Sequence, residues 1–350
     1  MSGIRVLVVD DSAAVRRLIR MVLDEEPAIG EVVSESDGRT ALTRLAEQRI
    51  DLVVLDLEMP DLGGLDVLRA LRQQHLDVPV IVFSAAGRHG DRATVEALAL
   101  GAVDFVTKPV DTGSVDDALE YMRPALLERI RAVFRTQPSM PERPVTAPKR
   151  LARPGHPVSA VVIAASMGGP HALAELFSAI PRSPGVPFFV VQHMPAAFIT
   201  ILARRLAASA SLSVRECVSE ERVAPDTLWF ATGGHHMEVA RRGRRVVVRP
   251  REGEPVNFCR PAADVLFASA ARAWGPGVLA VVMTGMGQDG LEGSGAIREQ
   301  GGRVLVQDRE SSVVWGMAGS VVRQGLADTV VPLRDLGAEI MCCIGAARQN

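Results

Sequence analysis

Two series of short apolar runs, each closed by a polar or glycine-rich stop, set the fold class of this chain. IRVLVVD, VVSES, DLVVLD, VPVIVFS and AVDFVTKP punctuate residues 1 to about 122. VSAVVIAAS, VPFFVVQHM, TLWFATGG, VLAVVMTG and RVLVQD follow from Val158. Runs this short and this continuous fit strands buried on both faces of a parallel sheet. The helix-like stretches between them are the crossovers that parallel strands require. The expectation is α/β in two domains.

The boundary is marked by composition. Residues 138–157, PSMPERPVTAPKRLARPGHP, hold six prolines and no apolar periodicity, which reads as an extended tether. The division expected is a first domain over 1–122, a linker over 123–157 entered through the helix-like stretch Val115–Phe134, and a second domain over 158–347. A formal net charge of -2 gives no reason to expect nucleic acid as a partner. The opening MSGIRVLVVDDS is no signal peptide, and no apolar stretch approaches the ~18–20 residues that span a bilayer. A cytoplasmic protein without membrane insertion is expected. The four cysteines, Cys217, Cys259, Cys342 and Cys343, lack the spacing of a disulfide framework or a zinc motif, and are expected to be inert thiols.

In open parallel sheets, ligands gather at the carboxyl ends of the strands. In the first domain those ends carry Asp10 and Asp11, then Asp56, Ser84 and Lys108 before Pro109. Three carboxylates at one edge repel one another unless a cation joins them, and oxygen-only ligands suit Mg²⁺. A hydroxyl and an ammonium nearby suit a transferring phosphoryl group. The chain has only two lysines, Lys108 and Lys149. Where arginine is otherwise the rule, a lysine here points to a site that takes a compact charge rather than a planar fork.

These residues resemble the receiver domain of response regulators, a flavodoxin-like (βα)5 fold, over residues 4 to about 122. The resemblance implies that Asp56 accepts a phosphoryl group and that Mg²⁺ is held by Asp10, Asp11, Asp56 and the backbone carbonyl of Glu58. It also implies that Ser84 and Lys108 contact the phosphoryl oxygens, with Phe105 as the aromatic switch.

Two patterns compete in the second domain. Gly285-Met286-Gly287-Gln288-Asp289-Gly290 is a literal G-x-G-x-x-G between a strand-like and a helix-like run, with Asp308 following at a strand end. That pattern fits a dinucleotide, but Asp289 sets negative charge where a pyrophosphate would lie. The other pattern joins Ser166, His193 and Asp289 from three strand ends, a nucleophile, base and orienting acid. His235 and His236 lie in a further strand-end loop, and spacing does not choose among the three histidines.

The segments AASMGGP, VVQHMP, ATGGHHM, NFCRPAADVLFASAA, VVMTGMGQDGLEG and QDRESSVVWGM resemble the chemotaxis protein-glutamate methylesterases, along the whole length of the chain. The resemblance implies a doubly wound parallel α/β esterase domain with Ser166 as nucleophile, His193 as base then acid, and Asp289 as its partner. The backbone N–H groups of Met286 and Met167 would form the oxyanion hole. It further implies a chemotaxis histidine kinase as phosphodonor, methyl-accepting chemoreceptors as substrate, and no cofactor in the esterase domain. The alternative is a response regulator whose second domain only binds a nucleotide or a partner. Ala164, Met167 and Ala318 depart from the family pattern. None of these substitutions removes a group of the triad, and Met167, larger than the residue usual there, is expected to narrow the site.

The choice of lysine generates a prediction. Lys108→Arg is expected to impair phosphodonor-dependent activation while sparing basal activity, because the fork does not fit a point-charge site. Normal activation in that variant, measured as the rate with and without phosphodonor, would make Lys108 a strand-end accident.

Overall fold

The computed structural model describes residues 3–85, 87–109, 114–134, 156–181 and 183–345. They form two compact units. In the first, five parallel strands run β1 (Ile4–Val9), β2 (Ile29–Glu35), β3 (Leu52–Asp56), β4 (Val80–Ser84) and β5 (Asp104–Thr107). Their order across the sheet is β2-β1-β3-β4-β5, the flavodoxin-like order. LVVLD and VIVFS are buried at every position, which is why both read as unbroken apolar runs. The chain leaves β1 toward one edge of the sheet and later builds toward the other. This reversal opens a crevice beyond the carboxyl ends of β1 and β3.

The helix Val115–Phe134 corrects the expected boundary at 122. Its residues 123–134 are not linker: Leu126, Leu127 and Ile130 are buried in the same core as Ile19, Val22 and Leu23 of the helix Ala13–Leu23. The apolar repeat continues past 122, and the charged residues between these positions hide it. The proline-rich stretch 135–155 lies outside the described residues.

The second unit is built on seven parallel strands: β6 (Ala160–Ala165), β7 (Phe188–Gln192), β8 (Ser213–Cys217), β10 (Thr227–Ala231), β13 (Val278–Val282), β14 (Arg303–Gln307) and β15 (Thr329–Val331). Their order is β15-β14-β13-β6-β7-β10-β8. β6 is central, and the sheet grows first to one side and then to the other. The switch point falls between β6 and β13. Beside it lies a small antiparallel sheet of β9 (Glu221–Arg222), β11 (His236–Arg242) and β12 (Arg245–Arg251), which the βα reading does not anticipate. Gly243, at φ 62°, turns the hairpin between the paired Arg242 and Arg245. Met237, Val239 and Val248 bury one face in the core that also holds Leu266, Phe267 and Ala270 of the helix Ala263–Trp274.

If residues 123–134 are core, Leu126→Ala should destabilise the first unit by about 2–5 kcal/mol, the cost of truncating a fully buried leucine. Chemical denaturation checks it. A loss under about 0.5 kcal/mol would return this stretch to the linker.

Candidate active site

In the first unit the pairing Val9↔Leu55 sets Asp10 beside Asp56. One carboxylate oxygen from each of Asp10, Asp11 and Asp56 falls within 4.8 Å of the others. Asp10 and Asp56 are buried, while Asp11 is exposed. Lys108 Nζ stands 2.8 Å from Oδ2 of both buried carboxylates. One ammonium among three carboxylates leaves an excess of negative charge, and every donor there is oxygen. These residues fit a hard divalent cation. Burial pushes the Asp56 carboxyl up, and the charge of Asp10 adds to this; Lys108 and the Glu58 N–H, 3.1 Å from Oδ1, pull it back. Burial works against the charged form of Lys108, but hydrogen bonds to Asp10 and Asp56 outweigh it and raise its pKa. Ser84 ends β4, buried, with its hydroxyl 2.8 Å from that of Thr94. Phe105 is buried on β5, opposite Val82.

The second site is assembled by register. Ala165 at the end of β6 pairs with Gln192 at the end of β7, so the next residues, Ser166 and His193, leave adjacent strands side by side. The His193 N–H donates to the Ala165 carbonyl at 3.1 Å. The Gln192 side-chain amide donates to the Ser166 carbonyl at 2.9 Å and to that of His193 at 3.2 Å. On the other flank, the Ser166 N–H donates to the Thr284 carbonyl at 3.0 Å. A Cβ on Gly285 would come within 2.7 Å of the Ser166 Cβ, so this glycine is required by close approach. Gly168, at φ 76°, turns the chain from Ser166 into the helix Gly169–Ser178.

Asp289 is 2 % exposed and its carboxylate is held from several sides. Oδ2 accepts from the Ala263 N–H at 2.6 Å, and Oδ1 accepts from the N–H groups of Asp264 and Gly290 at 3.0 Å each. Two of these donors belong to the first turn of the helix Ala263–Trp274, so Asp289 caps a helix distant from it in sequence. His193 Nε2 lies 2.7 Å from Oδ2. The neutral ring therefore keeps its proton on Nε2 and its lone pair on Nδ1. Burial opposes a charged imidazole. The bond to Asp289, and next the nearby Cys259, outweigh it and push His193 up from 6.5 to about 9. Burial likewise opposes the Asp289 carboxylate, but His193 and the backbone donors hold its pKa down.

The bond to Asp289 distinguishes His193 from the other two histidines that spacing leaves open. His236 has both nitrogens committed, Nδ1 to the Ala262 N–H at 3.1 Å and Nε2 to the Glu254 carbonyl at 2.9 Å. The acid of the glycine-rich loop is turned to His193, and Asp308 accepts from the Ser311 N–H in its own turn at 3.0 Å. This is not a dinucleotide cradle. Met286 is half-exposed and Met167 buried, in the loops that flank Ser166.

The sequence reading misses Cys259. Burial pushes the thiols of Cys217 and Cys343 up to about 12 and about 11, as befits inert groups. Cys259 instead has its Sγ within 4.8 Å of a His193 ring nitrogen and of an Asp289 carboxylate oxygen, a neighbourhood that the expectation of four inert thiols does not foresee. Its contact joins two loops far apart in sequence, and no spacing rule reports it.

The family described as CheB methylesterase matches residues 161–340, and the response regulator receiver domain matches residues 6–120. A protein-glutamate methylesterase/protein-glutamine glutaminase of Trichodesmium erythraeum is 41% identical, over 99% of this chain and 100% of its own length. One of a Nocardioides species is 43% identical, over 97% and 95%. The solved CheB methylesterase catalytic domain of Thermotoga maritima covers 53% of this chain and 97% of its own. It has a TM-score of 0.52 and 34% identity. The chain belongs to the CheB methylesterase family.

If His193 is the base, it must present a lone pair, and its raised pKa then has a kinetic consequence. In this CheB family member, kcat/KM on an ester should climb with pH along a limb whose midpoint lies above 6.5. Asp289→Asn removes the main raising partner. It should move the limb to lower pH while cutting the plateau by several orders of magnitude, through loss of ring orientation. A limb at or below 6.5 in the unaltered enzyme would contradict the pairing. The stability signs also follow. The raised histidine contributes fully below about 6.5 and loses its contribution as pH rises through about 9. The depressed aspartate contributes above its unfolded value and is lost in acid.

Proposed function

We propose that the chain is a phosphorylation-activated protein-glutamate methylesterase acting on γ-methyl glutamate esters of methyl-accepting chemoreceptors, with deamidation of receptor glutamines as the same acyl chemistry. What carries the reading is the 2.7 Å bond between His193 and Asp289, with Ser166 fixed beside His193 by strand register. Ser166 Oγ attacks the ester carbonyl as His193 Nδ1 takes its proton. The oxyanion of the tetrahedral intermediate faces the backbone N–H groups of Met286 and Met167. His193 returns the proton to the departing methoxide, releasing methanol. Water, deprotonated by the same nitrogen, then cleaves the acyl-serine to a glutamate carboxylate. With a glutamine the leaving group is ammonia.

The first unit supplies control. Asp56 is the proposed phosphoryl acceptor, from a chemotaxis histidine kinase. Mg²⁺ would be held by Asp10, Asp11, Asp56 and the carbonyl of Glu58, and it neutralises charge during phosphoryl transfer. Lys108, now shared by Asp10 and Asp56, would turn to a phosphoryl oxygen, with the Ser84 hydroxyl on another. Phe105 would report the change as the switch residue. Among the described residues no helix is long and apolar enough to cross a membrane, and we place the enzyme in the cytoplasm with its substrate segments. The alternative, an output domain that merely binds a nucleotide, is disfavoured by the buried Asp289 in the loop that would meet the phosphates.

The test is methanol release from methylated receptors, with and without a small-molecule phosphodonor. The full chain should respond to the donor, Asp56→Asn should not, and Ser166→Ala should release nothing while unfolding at nearly the same temperature. Release that survives Ser166→Ala would sink the esterase mechanism. Full activation of Asp56→Asn would move the phosphoryl site.

A further inference from the structure

Cys259 has no part in the hydrolysis described above, yet its position is well defined. It closes a two-residue turn: the Val256 N–H donates to the Cys259 carbonyl at 3.0 Å and the Cys259 N–H to the Val256 carbonyl at 2.9 Å. Asn257 and Phe258 fill the turn at φ 52° and 62°, the backbone of a type I′ turn. Such values are costly for a phenylalanine. The Asn257 side-chain amide pins the turn to Asp264 Oδ2 at 2.7 Å. The thiol is thereby delivered to the base: a His193 ring nitrogen, Cys259 Sγ and an Asp289 carboxylate oxygen all lie within 4.8 Å of one another.

We infer that His193, Cys259 and Asp289 form an inhibitory site for Zn²⁺. Nitrogen, thiolate and carboxylate are the donors that zinc takes, at bonds of about 2.0–2.3 Å. A tetrahedral ion with such bonds separates its ligands by about 3.3–3.8 Å. The three donor atoms already lie within 4.8 Å of one another, so side-chain rotations can bring them to that spacing. The carboxylate is oriented beforehand by the N–H groups of Ala263, Asp264 and Gly290, as the supporting shell of a metal site requires. Protons displaced from the thiol and the ring go to solvent. The thiolate also sets this site apart from the oxygen-only cluster of Asp10, Asp11 and Asp56. Mg²⁺ avoids sulfur, whereas Zn²⁺ accepts it. Zinc seated here occupies the ring nitrogen or the carboxylate that the triad depends on, and a fourth position stays open to water. The binding half of the inference stands on geometry alone; the inhibition half rests on the esterase reading.

The experiment uses the full chain in saturating Mg²⁺, with Co²⁺ as a spectroscopic stand-in. Thiolate-to-cobalt charge-transfer absorption is expected in the unaltered protein and in Cys342→Ala, and is expected to vanish in Cys259→Ala. In parallel, Zn²⁺ should slow ester hydrolysis reversibly to EDTA. The half-inhibiting concentration should rise at least about tenfold in Cys259→Ala, each protein being scored against its own zinc-free rate. No charge-transfer band, or a band indifferent to Cys259, would overturn the site. A band without inhibition would also overturn it as drawn, because an ion on His193 cannot leave the base free. Zinc inhibition equal in both proteins would place the ion elsewhere. If no ester is hydrolysed at all, the esterase reading fails, and the band alone decides the metal site.

Discussion

The bond between His193 and Asp289 ties together the two halves of a sheet that grows in opposite directions from its centre. His193 comes from the strand on one side of β6 and Asp289 from beyond the strand on the other, so the bond spans the switch point. Each end is fixed before the ring and carboxylate meet. Strand register and the Gln192 amide set His193, while the first turn of the helix Ala263–Trp274 sets Asp289. The carboxylate that orients the base also satisfies helix N–H groups that would otherwise be buried without partners. On the proposed mechanism, stability and chemistry share one residue. This also explains why burial, which alone would depress the histidine, is outweighed.

The first unit solves a related problem with opposite electrostatics. There, carboxylates of like charge are forced together at the ends of β1 and β3, and burial makes their repulsion expensive. Lys108 holds the two buried ones at equal distance. An ammonium so placed is a compact counter-charge that a divalent cation and a phosphoryl group can redistribute. In both units the reactive groups stand on strand ends flanking a reversal of strand order, where no connection covers them.

Much of this is legible in the sequence because central parallel strands leave no choice of residue. LVVLD, VIVFS and VVIAA can hardly be anything else. The polar residues that end them must then converge. The antiparallel β11 and β12 are missed because HMEVARR and RVVVRPR bury one face only, and their arginines break the apolar signal. The helix-like stretch to Phe134 is read, but its packing into the first unit's core past residue 122 is not, because charges interrupt its core positions. Among the histidines, sequence spacing leaves three open; hydrogen bonds commit both nitrogens of His236, and His193 is set apart by its bond to Asp289. Asp289 sits in a literal dinucleotide motif, and the physical objection to a carboxylate there points the right way. Cys259 has no local signal, since its neighbour in space is set by a turn that only the folded chain reveals.

The central claim is that Ser166 is the nucleophile, activated by His193 Nδ1 while Asp289 holds Nε2. Covalent trapping with a fluorophosphonate, mapped by mass spectrometry on the full chain, tests this most directly. The account predicts one adduct per chain, on Ser166, nearly abolished by His193→Gln and unaffected by His235→Gln. An adduct on another residue, or labelling of Ser166 that ignores His193, would contradict it.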